Sequence, residues 1–133
     1  MRLLLDSHVA LWWLSEHASL GENCKQQIEA ADEAYFSAVT PWELGIKRAL
    51  GKLVFPDGLV AELEAAGFVE LPISAAHAVR ASGLPDHHRD PFDRMLVAQA
   101  QLESLQLVTA DRTLQPYDVE ILDASGTTGT VAR

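Results

Sequence analysis

Four acids of this chain stand where an acid could do more than face solvent. They are Asp6 after MRLLL, Glu43 in TPWEL, Asp93 in HHRDPFDRMLVAQA and Asp111 after LQLVTA. Each has a purely structural explanation. Asp6 and Asp111 can cap the helices that follow them, because a short carboxylate accepts from the first free backbone N–H groups. Thr40, Pro41 and Glu43 have the order of a capping box, with Thr40 as N-cap and Pro41 at the first helical position. Asp90–Pro91–Phe92–Asp93 repeats that order of cap, proline, aromatic and acid.

Taken together the acids point to metal-assisted chemistry. Two carboxylates about 4 Å apart repel by roughly 4 kcal/mol at an effective dielectric near 20. A cluster of four must therefore take up protons or enclose a cation. Cys24 is the only cysteine, so no thiolate cluster forms, and oxygen donors suit a hard ion, Mg²⁺ or Mn²⁺. Mg²⁺ leaves room for a phosphate. Lys47, Arg48, Lys52, Arg89, Arg94 and Arg112 lie close in sequence to these acids and suit a phosphate chain. Of these, Lys47, Arg94 and Arg112 are the candidate substrate contacts. His87 and His88 read as a solvated loop before a helix.

Positioning these acids requires strands and helices in alternation. Strands are expected at Leu3–Leu5, Ala34–Val39, Val69–Leu71, Gln106–Thr109 and Glu120–Leu122. Helices are expected at 8–15, 22–31, 41–51, 58–66, 75–82 and 91–104, with Gly51 and Gly67 as C-terminal stops. Such alternation implies an α/β fold, a three-layer α/β/α domain with a mainly parallel sheet of about five strands. In that arrangement strand C-termini and the following helix N-termini share one edge, where ligands bind. Trp12 and Trp13, about 100° apart on a helix, divide between core and a partner surface. The helix after Asp90 is apolar nearly all round and belongs in the core.

The 133 residues fit one domain, 1–124, followed by a small, polar and flexible tail, 125–133. No apolar run approaches the roughly 18 residues that span a bilayer. With no signal-peptide pattern and a single cysteine, a cytoplasmic location is expected. The net charge of −9 argues against nucleic-acid binding through bulk charge. A haloacid-dehalogenase-type phosphatase would want a second acid where His8 stands, and a receiver domain would want a lysine later than Lys52.

The segments LLLDSHVALWW, TPWELGIKRALGKL, HHRDPFDRMLVAQA and LVTADRTLQPY occur in the order and spacing of PIN-domain nucleases, and residues 1 to about 123 resemble the VapC-type toxins among them. The resemblance implies a Mg²⁺- or Mn²⁺-dependent endoribonuclease and a cognate antitoxin protein that silences it. It also implies a homodimer that becomes a heterotetramer or larger with the antitoxin. By position the motif acids are Asp6, Glu43, Asp93 and Asp111, with Asp6 and Asp93 as metal ligands and Asp90 as cap. The chemistry expected of such a site is attack of a metal-activated water on phosphorus, with a neighbouring carboxylate, Glu43 by preference, taking the proton; the family pattern then implies 5′-phosphate and 3′-hydroxyl ends. Two alternatives stay open: a catalytically silent binding protein of the same fold, and a histidine-based, metal-independent ribonuclease.

Overall fold

A computed structural model describes residues 1–126 and the backbone of 130–131. Five parallel strands form the sheet: β1 (Arg2–Leu5), β2 (Glu33–Ser37), β3 (Val69–Leu71), β4 (Gln106–Thr109) and β5 (Ile121–Asp123). A two-residue β6 (Thr130–Val131) adds antiparallel to β5, and the spatial order is β3-β2-β1-β4-β5-β6. Residues 127–129 and 132–133 of the expected tail lie outside the described residues. Ser125 is held, its N–H and hydroxyl both donating to Asp123.

Strand β1 lies between β2 and β4, the point at which the strand order reverses. Leu3, Leu4 and Leu5 are therefore fully buried, as expected of a strand covered on both faces. The pleat sends Leu3 and Leu5 into one core with Val9, Phe36, Leu63 and Val108. Leu4 points into the other, with Leu96, Val97, Leu107 and Ile121.

Six helices cover the two faces: α1 (Ser7–Ser15), α2 (Glu22–Ala30), α3 (Val39–Ala49), α4 (Leu59–Ala65), α5 (Ala75–Ser82) and α6 (Pro91–Glu103). Gly51 and Gly67 follow α3 and α4 at φ +76° and +97°, left-handed turns that a side chain would strain. Trp13 packs edge-on against Phe68, whereas Trp12 stacks with His17 at the side of a cleft. In α6, Leu96, Val97, Ala98 and Ala100 are buried, which confirms its core position.

Helix α3 starts two residues earlier than its sequence suggests. Helix α3 begins at Val39 with Ala38 as N-cap, so Thr40 is not a cap and Glu43 is not part of a capping box. Instead Ser37 Oγ accepts from Val39 N at 3.0 Å. Pro41 is still tolerated, because the first turn needs no N–H from it. Thr40 turns inward and its hydroxyl lies 3.0 Å from that of Ser7, both buried. This pair ties the start of α3 to the start of α1.

Candidate active site

Asp6, Glu43, Asp93 and Asp111 line one cleft of about 360 Å³ at the carboxyl edge of the sheet, together with His8, Trp12, Lys47 and Asp90. The topology explains the meeting. Asp6 leaves β1 and Asp111 follows β4, on either side of the switch point. Asp93 stands in the first turn of α6 and Glu43 just past the first turn of α3, and both side chains reach the same cleft.

Asp6 is 6% exposed and caps α1 by accepting from His8 N at 3.1 Å. Its Oδ2 accepts from Thr109 Oγ1 at 2.6 Å, and the same Thr109 hydroxyl accepts from Asp111 N at 3.0 Å. Thr109 thus braces two motif acids at once, a role the sequence reading missed. Its only signal was a hydroxyl two residues before Asp111 at a strand end. Burial pushes the Asp6 carboxyl above its usual range, and neither these hydrogen bonds nor His8 cancels that.

Asp90 is the cap of α6: its Oδ1 accepts from Phe92 N at 2.8 Å and Asp93 N at 3.2 Å. That leaves the Asp93 side chain facing the cleft. Burial, then Asp6 and Asp90, and to a smaller degree Glu43, push its pKa up to about 7, against a hydrogen bond from His88 that lowers it. Glu43 is 3% exposed; Oε2 accepts from Lys47 Nζ at 2.9 Å, and Oε1 is buried with no hydrogen-bond partner. Burial alone would lower the Lys47 ammonium, but Glu43, with Asp90 and Asp93, holds it above its ordinary value. Asp111 Oδ1 caps the short 3₁₀ turn Arg112–Leu114 through Thr113.

Two expectations change here. Arg94 is occupied: Nη1 donates to Pro85 O (3.1 Å) and His88 O (3.2 Å), and Nη2 to Ala81 O (2.9 Å) and Leu84 O (3.0 Å). It fastens the loop before α6 through both terminal nitrogens. His88 is no solvated loop residue. Its Nε2 lies 2.9 Å from Asp93 Oδ2 and 3.6 Å from Asp111 Oδ2. His87 packs edge-on against Tyr117 instead. Arg112 is exposed beside Asp111, and Lys47 reaches the cleft through Glu43.

The donor set fits a divalent cation. A buried carboxylate oxygen without a partner, and a carboxyl lifted by burial and by neighbouring acids, both suit a positive charge placed among them. Asp6 and Asp93, with Glu43 beside them, are the residues that would hold it.

An α/β domain with acids converging at the switch point of a five-stranded parallel sheet defines the class. The PIN domain family model matches residues 3–120, and the chain belongs to the PIN-domain family, of the VapC type. It is 36% identical over 123 residues to Ribonuclease VapC22 of Mycobacterium tuberculosis, covering 86% of this chain and 91% of that protein. The fold is also that of VapBC2 from Rickettsia felis bound to a promoter DNA fragment (TM-score 0.66, 14% identity, 92% of this chain and 98% of that one). DNA-bound VapBC from Salmonella typhimurium is equally similar (TM-score 0.66, 18% identity, 92% and 98%).

Proposed function

We propose that this chain is the toxin of a toxin–antitoxin pair, a Mg²⁺- or Mn²⁺-dependent endoribonuclease acting in the cytoplasm. One observation carries the proposal. Four acids from distant parts of the chain line one cleft, and a buried oxygen of Glu43 there has no partner. The identity to a protein named ribonuclease supports the activity.

In this reading Asp6 and Asp93 would hold the ion, and Asp111 would complete the acidic ring. The bound ion supplies Lewis-acid polarisation of the scissile phosphate. Glu43 accepts the proton of the attacking water at Oε1, because Oε2 is held by Lys47. The Lys47 ammonium, held by Glu43 Oε2, faces the phosphate backbone, and Arg112 meets the same backbone from the other side. Products then carry 5′-phosphate and 3′-hydroxyl ends. Asp6→Asn and Asp93→Asn should each lower cleavage by at least about 100-fold, measured with a labelled RNA and Mn²⁺. Full activity in either variant, or 2′,3′-cyclic phosphate products, would sink the mechanism.

The position of His88 favours a second reading, a histidine-based ribonuclease that needs no metal. Cleavage surviving excess EDTA would select it.

The partner is an antitoxin protein. Beside the acidic cleft runs a second one of about 510 Å³, with Leu11, Trp12, Leu53, Phe55 and Leu59 in its walls. An apolar antitoxin segment laid there would end next to Asp6, since Trp12 and His8 border both clefts. Two toxin copies with their antitoxins would make a heterotetramer, which light scattering of the co-purified pair can test.

A further inference from the structure

We infer that His88 is a nitrogen ligand of the divalent ion bound at this cleft, so that a first-row transition ion such as Mn²⁺ is held in preference to Mg²⁺. This rests on the metal-dependent reading above and adds to it a donor of a different kind. Among the described residues, three side chains offer ligand atoms within 4.8 Å of one another: His88, Asp93 and Asp111. A second observation points to a ligand at the cleft that Asp93 and Asp111 line. The unpartnered Oε1 of Glu43 belongs to a side chain almost wholly buried in the wall of that cleft.

The histidine is built in rather than loosely draped. Its backbone N–H donates to the buried Tyr117 hydroxyl at 2.9 Å, and its carbonyl accepts from Arg94 at 3.2 Å. Arg94 also fastens Ala81, Leu84 and Pro85. The ring is three-quarters shielded and Nε2 faces two carboxylates, where it forms a mixed nitrogen and oxygen donor set. His8 is a poorer candidate, with Nδ1 4.0 Å from one Asp6 oxygen and a side chain 41% exposed. Imidazole nitrogen is a softer donor than carboxylate oxygen and suits transition ions, whereas Mg²⁺ takes oxygen and water.

The test uses the purified full chain with Mn²⁺ as the probe. Pulsed electron paramagnetic resonance of the bound ion should show ¹⁴N modulation in the wild type. That modulation should vanish in His88→Gln and persist in His8→Gln. Calorimetry should show Mn²⁺ affinity falling about tenfold or more in His88→Gln, with Mg²⁺ affinity little changed. Bound Mn²⁺ without ¹⁴N modulation in the wild type overturns the inference and leaves the metal-dependent reading standing, and this result needs no variant to fold. Modulation that survives in His88→Gln overturns it too. Equal loss of Mn²⁺ and Mg²⁺ affinity would make His88 a positioning residue for Asp93 and end its role as ligand. No Mn²⁺ uptake at all would bring down both readings.

Discussion

Asp93 shows what one side chain costs when it is buried and its neighbours share its charge. A carboxyl whose native pKa is raised from 3.8 to about 7 binds its proton more tightly in the native chain than in the unfolded one. Its contribution to stability is therefore most favourable below pH 3.8. It declines as the pH rises from about 4 to about 7 and changes no further above that. The expected result is that metal-free Asp93→Asn melts increasingly above the wild type through this window. Saturating Mn²⁺ should reverse the order at pH 8, because the ion needs the carboxylate that the variant lacks. Scanning calorimetry at pH 5 and pH 8, with and without Mn²⁺, checks both signs. Thr109 acts at the same scale through geometry. Thr109→Val keeps the shape, strips the donor from buried Asp6, and should weaken Mn²⁺ binding about tenfold while secondary structure stays intact.

At the scale of elements, Asp90–Pro91 and Thr40–Pro41 look alike in sequence and differ in the fold. Asp90 caps α6 as its type and position suggest, whereas α3 starts two residues before Pro41. Local order marks a helix start within a turn, but the cap itself is chosen by tertiary contacts. Here Ser37 takes the capping bond and Thr40 is drawn to Ser7. The strands, the helices and the shared edge of the four acids were legible because period, glycine stops and βαβ order are local signals. His88 and Arg94 were not, because the loop 84–88 is shaped by bonds from Arg94 and from Tyr117, which lies 32 residues beyond Pro85. This makes Arg94 a structural clamp. Arg94→Ala should cost about 2–3 kcal/mol in urea unfolding, and Arg94→Lys should recover little, since an ammonium cannot span carbonyls on both sides of the loop. Normal stability of Arg94→Ala with weakened RNA binding would return Arg94 to the substrate contacts.

For the whole molecule, a net charge of −9 opposes a polyanionic substrate. In the proposed reading RNA would approach an acidic cleft whose nearby cations are few, and one of them, Lys47, is already paired with Glu43. Binding should therefore depend on the divalent ion before any chemistry does. In Ca²⁺, as an ion that need not support cleavage, an oligoribonucleotide should bind measurably, and in EDTA it should not. The dependence on monovalent salt should also be shallow. Each Lys or Arg that neutralises a phosphate of a single strand contributes a slope of about −0.7 in log K against log salt. Two cations, Lys47 and Arg112, then give about −1.4, and Arg112→Ala should bring it to about −0.7. A steep slope, unchanged in Arg112→Ala, would mean that the RNA lies on some other basic surface and that this cleft is not where the backbone is held.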